Sequence, residues 1–120
     1  MTPTWKRRNY KIATVDGPKT VAGWVYGRLA LHSGGPRMWY IDHIASGARI
    51  NSRFLDCALQ EAKEIVERLE PIVPSQLERL AFGVTPKRSS YRGAEMKAFG
   101  RLLAELTWKF NPYVIPPREA

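Results

Sequence analysis

Residues 20–51 read TVAGWVYGRLALHSGGPRMWYIDHIASGARIN, and the division of this stretch into strands decides the fold. Apolar and polar residues alternate over 20–33 and again over 37–51, with Gly34-Gly35-Pro36 between them, so the pattern predicts a long β-hairpin. Pairing Ser33 with Arg37 sets Leu31 opposite Trp39, Leu29 opposite Ile41 and Val25 opposite Ala45, which makes one face core. The other face then carries Trp24, Tyr26, Arg28, His32, Tyr40 and Asp42, with Arg28 directly across from Asp42. A solvent-facing sheet that keeps three aromatics among cations reads as a binding surface.

Working outward to the N-terminus, WKRRNYKIATV over 5–15 continues the strand pattern, followed by the turn residues Asp16-Gly17-Pro18-Lys19. Setting Val15 opposite Thr20 places Tyr10 across from Val25, Ile12 across from Gly23 and Lys11 across from Trp24, so the aromatic and basic face widens by a third strand. Gly23 and Gly27 leave gaps on the core side, which suits a close helix, a bulge or simple bending of a long strand.

Toward the C-terminus the period changes. Leu55, Ala58, Leu59, Ala62, Ile65, Val66 and Leu69 recur at three and four residues, predicting a helix capped by Asn51 or Ser52 and stopped near Glu70 by Pro71 and Pro74. Its outer side carries Asp56, Glu61, Glu64, Glu67 and Arg68. Ser75-Gln-Leu-Glu78 fits a capping box and predicts a short helix ending at Gly83. A basic loop, Lys87-Arg88-Ser89-Ser90-Tyr91-Arg92-Gly93, leads into a second long helix from about Ser90 to Phe110, with Met96, Phe99, Leu102, Leu103, Leu106 and Phe110 inward and Lys97, Arg101, Glu105 and Lys109 outward. Asn111-Pro112 ends it, and a proline-containing tail follows.

The expected fold class is therefore α+β: a three-stranded antiparallel β-meander followed by a long helix, a short helix and a second long helix packed on one sheet face. A single domain over 1–120 is expected, with a basic arm at 1–8, the sheet at 9–50, the helical part at 51–110 and the tail at 111–120. Three antiparallel strands followed by a packing helix resembles, in architecture alone, sheet-type DNA readers such as plant AP2 modules and integrase arm-binding domains. No motif of either family is present.

The net charge is +8, and its distribution is uneven: +6 over residues 1–50, −2 over 51–82 and +4 over 83–120. Such a field attracts polyanions. No apolar run approaches the roughly 20 residues that span a bilayer, and the basic N-terminus has no apolar segment behind it, so neither a membrane nor a signal peptide is expected and the location expected is cytoplasmic. Cys57 stands at an apolar helix position as a small core residue. Two histidines and one cysteine show no metal-ligand spacing, and no cofactor motif occurs; the basic loop lacks the Gly-Lys-Ser/Thr of a Walker motif. His32 and His43 fall on opposite faces, which excludes a simple acid and base pair; Tyr26, Arg28, His32 and Asp42 fit a ribonuclease site only loosely.

These residues point to a noncatalytic nucleic-acid-binding protein, with DNA or RNA as partner. Arg7, Arg8, Lys11, Arg28 and His32 supply charge on the sheet face and arm, Trp24, Tyr26 and Tyr40 supply stacking surfaces, and Lys87, Arg88 and Arg92 supply a phosphate-binding corner where serines meet a helix start. The alternative is a protein-interaction module, a small regulator or inhibitor that uses the same face, since aromatics and arginine dominate binding hot spots. A third helix or a second copy in a homodimer would also account for the aromatics by covering them.

Overall fold

The structure is a computed structural model that describes residues 2–51, 53–83 and 93–110. It is α+β. Five antiparallel strands, β1 (Lys6–Thr14), β2 (Gly17–Tyr26), β3 (Leu29–Gly35), β4 (Met38–His43) and β5 (Leu55–Asp56), lie side by side in chain order. The helices are α1 (Leu59–Leu69), the four-residue α2 (Ser75–Glu78) and α3 (Ala94–Thr107), with 3-10 turns at Glu70–Ile72 and Trp108–Phe110.

The expected three-stranded meander is corrected at Gly27-Arg28, where the long strand over 20–33 breaks into β2 and β3. Tyr26 pairs with Leu29 across a two-residue loop. Gly27 takes φ +57° there, the positive value that the first central residue of a Gly-X hairpin loop requires. This turn also corrects the face assignment. In a continuous strand Trp24 and Tyr26 would point away from Leu29 and Leu31, but a two-residue hairpin pairs Trp24 with Leu31, so both aromatics join the core side. Arg7 and Lys11 of β1 come to that side with Trp24, while Tyr10, Ile12 and Val25, expected on it, go to the other.

Two registers differ from expectation by an even number of residues, which moves partners without exchanging faces. Along β3 and β4, Leu31 faces Ile41, His32 faces Tyr40 and Leu29 faces His43, with an irregularity between Ser33 and Gly35. Along β1 and β2, Tyr10 faces Val21, Ile12 faces Lys19 and Lys11 faces Thr20, while Trp24 faces Arg7. Strand β1 begins at Lys6, so Lys6, Arg7 and Arg8 belong to the sheet rather than to an arm.

The helices cover one sheet face. Tyr26, Leu29, Leu31, Ile41, Leu55 and Cys57 are buried there against Ala62, Ile65, Val66 and Leu69 of α1 and Met96 and Phe99 of α3. The helix stripe is as expected from Ala62 onward, but α1 starts at Leu59 rather than near Ser52, and Leu55 is a strand residue. Asn51 explains the delay: its carboxamide oxygen accepts from Ile41 N–H at 2.7 Å, and its nitrogen donates to the carbonyls of Trp39 and Arg53. Spent on β4, it cannot cap a helix; Ala58 precedes α1, and its amide donates to Glu61.

The capping box at Ser75 does not form. Pro74 is the cap residue, the Ser75 amide and hydroxyl both donate to Glu95 of α3 at 2.9 Å, and Glu78 instead meets His43. α3 starts at Ala94, and its outward Lys97, Arg101, Glu105 and Lys109 are exposed. The basic loop residues Lys87, Arg88 and Arg92, and the tail beyond Phe110, lie outside the described residues.

Candidate nucleic-acid interface

The other sheet face is curled rather than open. Tyr10 on β1 donates its hydroxyl to Asp42 Oδ2 on β4 at 2.7 Å, although β2 and β3 separate the two strands. In a flat sheet those strands would stand about 14 Å apart, beyond the reach of the two side chains. Gly23 makes the crossing feasible, since a Cβ there would sit 3.0 Å from the Tyr10 ring and 2.1 Å from the Leu31 carbonyl oxygen. Ala13 N–H then donates to Gly47 O at 3.0 Å, tying the far end of β1 to the segment after β4. Inside the curl Tyr10, Ile12 and Ala30 form a second small core with Val21, Val25 and Ile44 around it.

Asp42 holds the centre of that curl. It is buried and takes a second contact from His32 Nδ1 at 2.5 Å, so one carboxylate satisfies two donors that the fold removes from water. Burial first, and the adjacent Asp42 charge second, push the Tyr10 phenol pKa upward, which keeps its hydroxyl a donor. The expected pair of Arg28 with Asp42 is corrected: Asp42 lies opposite Ala30, and Arg28 Nε sits 3.1 Å from Glu70 Oε2, with its guanidinium also donating to the Glu70 carbonyl. The two histidines do lie on opposite faces. Each has a carboxylate partner that local sequence did not reveal, since His43 is fully buried with Nε2 2.8 Å from Glu78 and Nδ1 2.7 Å from Ser46 Oγ.

With its inner face anchored in this way, the β1–β2 pair stands as a ribbon. The two strands share nine registered pairs from Lys6–Val25 to Thr14–Gly17, whereas only Gly23, Trp24, Val25 and Tyr26 of β2 go on to pair with β3. The tip closes at Val15-Asp16, where Thr14 Oγ1 donates to Gly17 O at 2.6 Å and accepts from Asp16 N–H. Alternation puts Arg7, Asn9 and Lys11 of β1 beside Trp24, Ala22 and Thr20 of β2 on the sheet face that α1 also packs on; where the ribbon extends past α1 this is its outer face, outside the curl. All of these except the half-buried Trp24 are exposed. Lys6 and Arg8 belong to the inner side of the same edge strand and are exposed as well, as is Lys19.

Within the ribbon Asp16 at the tip is the one carboxylate, while Glu67 of α1 accepts from the Trp5 indole at 3.2 Å near Trp24. Ion pairs among the described residues join Arg28 to Glu70, His32 to Asp42, Arg37 to Asp56 and His43 to Glu78, and none includes Lys6, Arg7, Arg8 or Lys11. Arg7 lies over the Trp24 ring at 5.3 Å, and Lys63 of α1 lies over the same ring at 4.1 Å, contacts favourable to cations because the ring face is negative. The acids Glu61, Glu64, Glu67 and Glu70 are concentrated on and just after α1.

The structure thus divides the eight candidates that fall among the described residues, Lys87, Arg88 and Arg92 lying outside them. Arg7, Arg8 and Lys11 share one ribbon, with Trp24 seating Arg7. Tyr26 is buried against Trp5 at 4.9 Å between ring centroids, Arg28 belongs to the turn held by Glu70, and His32 is buried. Tyr40 is on the inner face, stacked on His32 at 5.1 Å with the Arg49 guanidinium over its ring at 4.1 Å. Lys6, Asn9, Lys19 and Thr20 are exposed on the same ribbon and were not among the candidates, although the alternation of Arg7, Asn9 and Lys11 along a single strand was available to place Asn9 there.

Among the described residues no three or more His, Cys, Asp or Glu side chains gather to hold a metal, and no helix is long and apolar enough to cross a membrane. Comparison with protein-family models, curated proteins and solved structures returns no match.

Proposed function

We propose that the chain binds nucleic acid without catalysis, using the outer face and free edge of the β1–β2 ribbon. One observation carries the reading: Lys6, Arg7, Arg8 and Lys11 stand exposed on a single edge strand, with no carboxylate partner among the described residues. Lys6 to Lys11 spans about 17 Å of strand, so the cations match several successive phosphates. Neutralising them releases counterions and supplies the affinity. Burial of Tyr10 and Ile12 on the inner face supports the reading further, because it leaves Arg7, Asn9 and Lys11 between and beside them exposed, with Trp24 as the member of the outer rows that packs on the core.

Charged edge strands also deter unwanted strand pairing, and a protein with an acidic surface would suit the same cations. Fluorescence anisotropy with labelled DNA and RNA separates these readings. The wild-type chain is expected to bind with a dissociation constant of about 100 µM or tighter at low salt. Replacing Lys6, Arg8 and Lys11 together by Gln, all exposed and remote from the core, is expected to weaken binding by about tenfold or more. Unchanged affinity in that variant overturns the assignment of the surface, and absence of binding to every nucleic acid overturns the function.

A further inference from the structure

Resting on that nucleic-acid reading, we infer that the ligand of the ribbon is duplex DNA, with the outer face of β1 and β2 seated in the major groove. The first argument is shape. Residues 17–22 of β2 pair with β1 but not with β3, so the sheet is two strands wide at the Asn9–Ala22 and Lys11–Thr20 rows, while the Arg7–Trp24 row stands where the ribbon joins β3 beside α1. Two strands with their side chains suit a groove about 12 Å across, which admits an α-helix or a two-stranded ribbon.

The second argument is the chemistry of the outer rows: Arg7 beside Trp24, Asn9 beside Ala22 and Lys11 beside Thr20. Arg and Lys match the O6 and N7 acceptors of guanine, Asn matches N6 and N7 of adenine, and small methyl-bearing residues such as Ala and Thr pack on the thymine methyl. Asn9 is the informative member. It is exposed, uncharged and flanked on its own face by two cations, and its carboxamide makes no hydrogen bond among the described residues. A purely phosphate-binding surface gains little from a carboxamide at its centre, whereas a base-reading surface uses one. Arg7 to Lys11 covers about 14 Å along the strand, the length of about four base pairs at 3.4 Å each.

The third argument is presentation. A reading surface has to be held rigidly by the structure behind it, and here Tyr10–Asp42 and Ala13–Gly47 brace the ribbon from the inner side. Lys6, Arg8 and Lys19 flank the reading rows and reach the phosphate rims. Other nucleic acids fit less well. The major groove of duplex RNA is too deep and narrow for side chains to read, and single strands call for open aromatic platforms, while Trp24 is the sole aromatic of the outer rows and is half-buried beneath Arg7 and Lys63.

The test is a competition at one salt concentration between a duplex DNA, a duplex RNA and a single-stranded DNA of equal length and mixed sequence. Duplex DNA is expected to bind about tenfold or more tighter than either competitor. Equal or stronger binding to the RNA duplex or the single strand overturns this inference and leaves the nucleic-acid reading standing; no binding to any of them overturns both. In a second arm, 7-deaza purines remove the N7 acceptors of the major groove. The wild-type chain is expected to lose about fivefold or more on the modified duplex, and an Arg7→Ala, Asn9→Ala variant is expected to bind both duplexes alike. A wild-type chain indifferent to the modification overturns the groove assignment.

Discussion

The hydroxyl of Tyr10 on β1 donates to the carboxylate of Asp42 on β4 at 2.7 Å, across the two strands that separate them. This contact curls the sheet, encloses a second core and leaves Arg7, Asn9 and Lys11 exposed on the opposite side of β1. Asp42 is also the acceptor for His32, so the geometry that displays the ribbon depends on one buried carboxylate.

Asp42→Ala leaves both donors unpaired and is expected to cost about 1–3 kcal/mol for each. Urea unfolding measures the loss. In a cycle with Tyr10→Phe the two changes are expected to be non-additive by about 0.5–3 kcal/mol. Strict additivity would mean that the contact does not hold the curl.

Gly27 and Gly100 should respond to alanine with opposite signs. At Gly27 φ is +57° and a Cβ would come within 2.6 Å of Glu70 Oε2, so Gly27→Ala is expected to destabilise by about 1–3 kcal/mol. At Gly100 on α3 a Cβ meets nothing within 4 Å, and Gly100→Ala is expected to stabilise by about 0.5–1 kcal/mol through helix propensity. Thermal or urea denaturation of both variants checks the pair.

Glu95 ties α3 to the start of α2. Hydrogen bonds from the Ser75 amide, and then from its hydroxyl, lower the Glu95 pKa. A carboxylate depressed in the folded state adds stability that is complete above its unfolded value of about 4.3 and disappears as pH falls through the folded value. Glu95→Gln is therefore expected to lower stability at neutral pH and to converge with the wild-type chain in acid. Parallel stability curves from pH 2 to about 7 would contradict this.

Burial, aided by the charge of Glu61, pushes the Cys57 thiol up to about 11. Its contribution to stability is complete below an unfolded value of about 8.5 and is lost as pH rises through the folded value. At pH 8 the thiol is expected to react with a disulfide reagent only after unfolding. Rapid modification of the folded chain would show that Cys57 is accessible.

Much of this architecture was readable in the chain. The three-and-four spacing of Ala62, Ile65, Val66 and Leu69, and of Met96 and Phe99, identified the buried helix faces, because a helix declares its core through its own period. The alternation of Tyr10 and Ile12 with Lys11 and Asn9 survived a four-residue change of register, since even shifts preserve the pairing of rows, but the hairpin at Gly27-Arg28 moved the Tyr10 and Ile12 row from the helix-packed face to the other. What stayed hidden was non-local. Gly27-Arg28 carries a weak turn signal between Val25-Tyr26 and Leu29-Ala30-Leu31, so the hairpin that turns Trp24 and Tyr26 toward the core resembled a continuous strand. Asn51 suits a helix cap by type, yet it is consumed by backbone groups of β4. The buried pairs His32–Asp42 and His43–Glu78 depend on the curl and on α2, which neither histidine encodes locally. The basic ribbon lay between these cases: its charges were legible, but its outer face could be defined only once the pairing of β1 with β2 was known.

The most direct test of the central claim is the salt dependence of duplex DNA binding, measured by anisotropy between 50 and 200 mM salt. If Lys6, Arg8 and Lys19 each engage one phosphate while Arg7 and Lys11 face the bases, the slope of log affinity against log salt is expected to be about −2.7, roughly a 40-fold loss over that range. Replacing Arg8 by Gln should make the slope shallower by about one phosphate. Binding whose strength does not change with salt, or a slope that Arg8→Gln leaves untouched, would contradict the account.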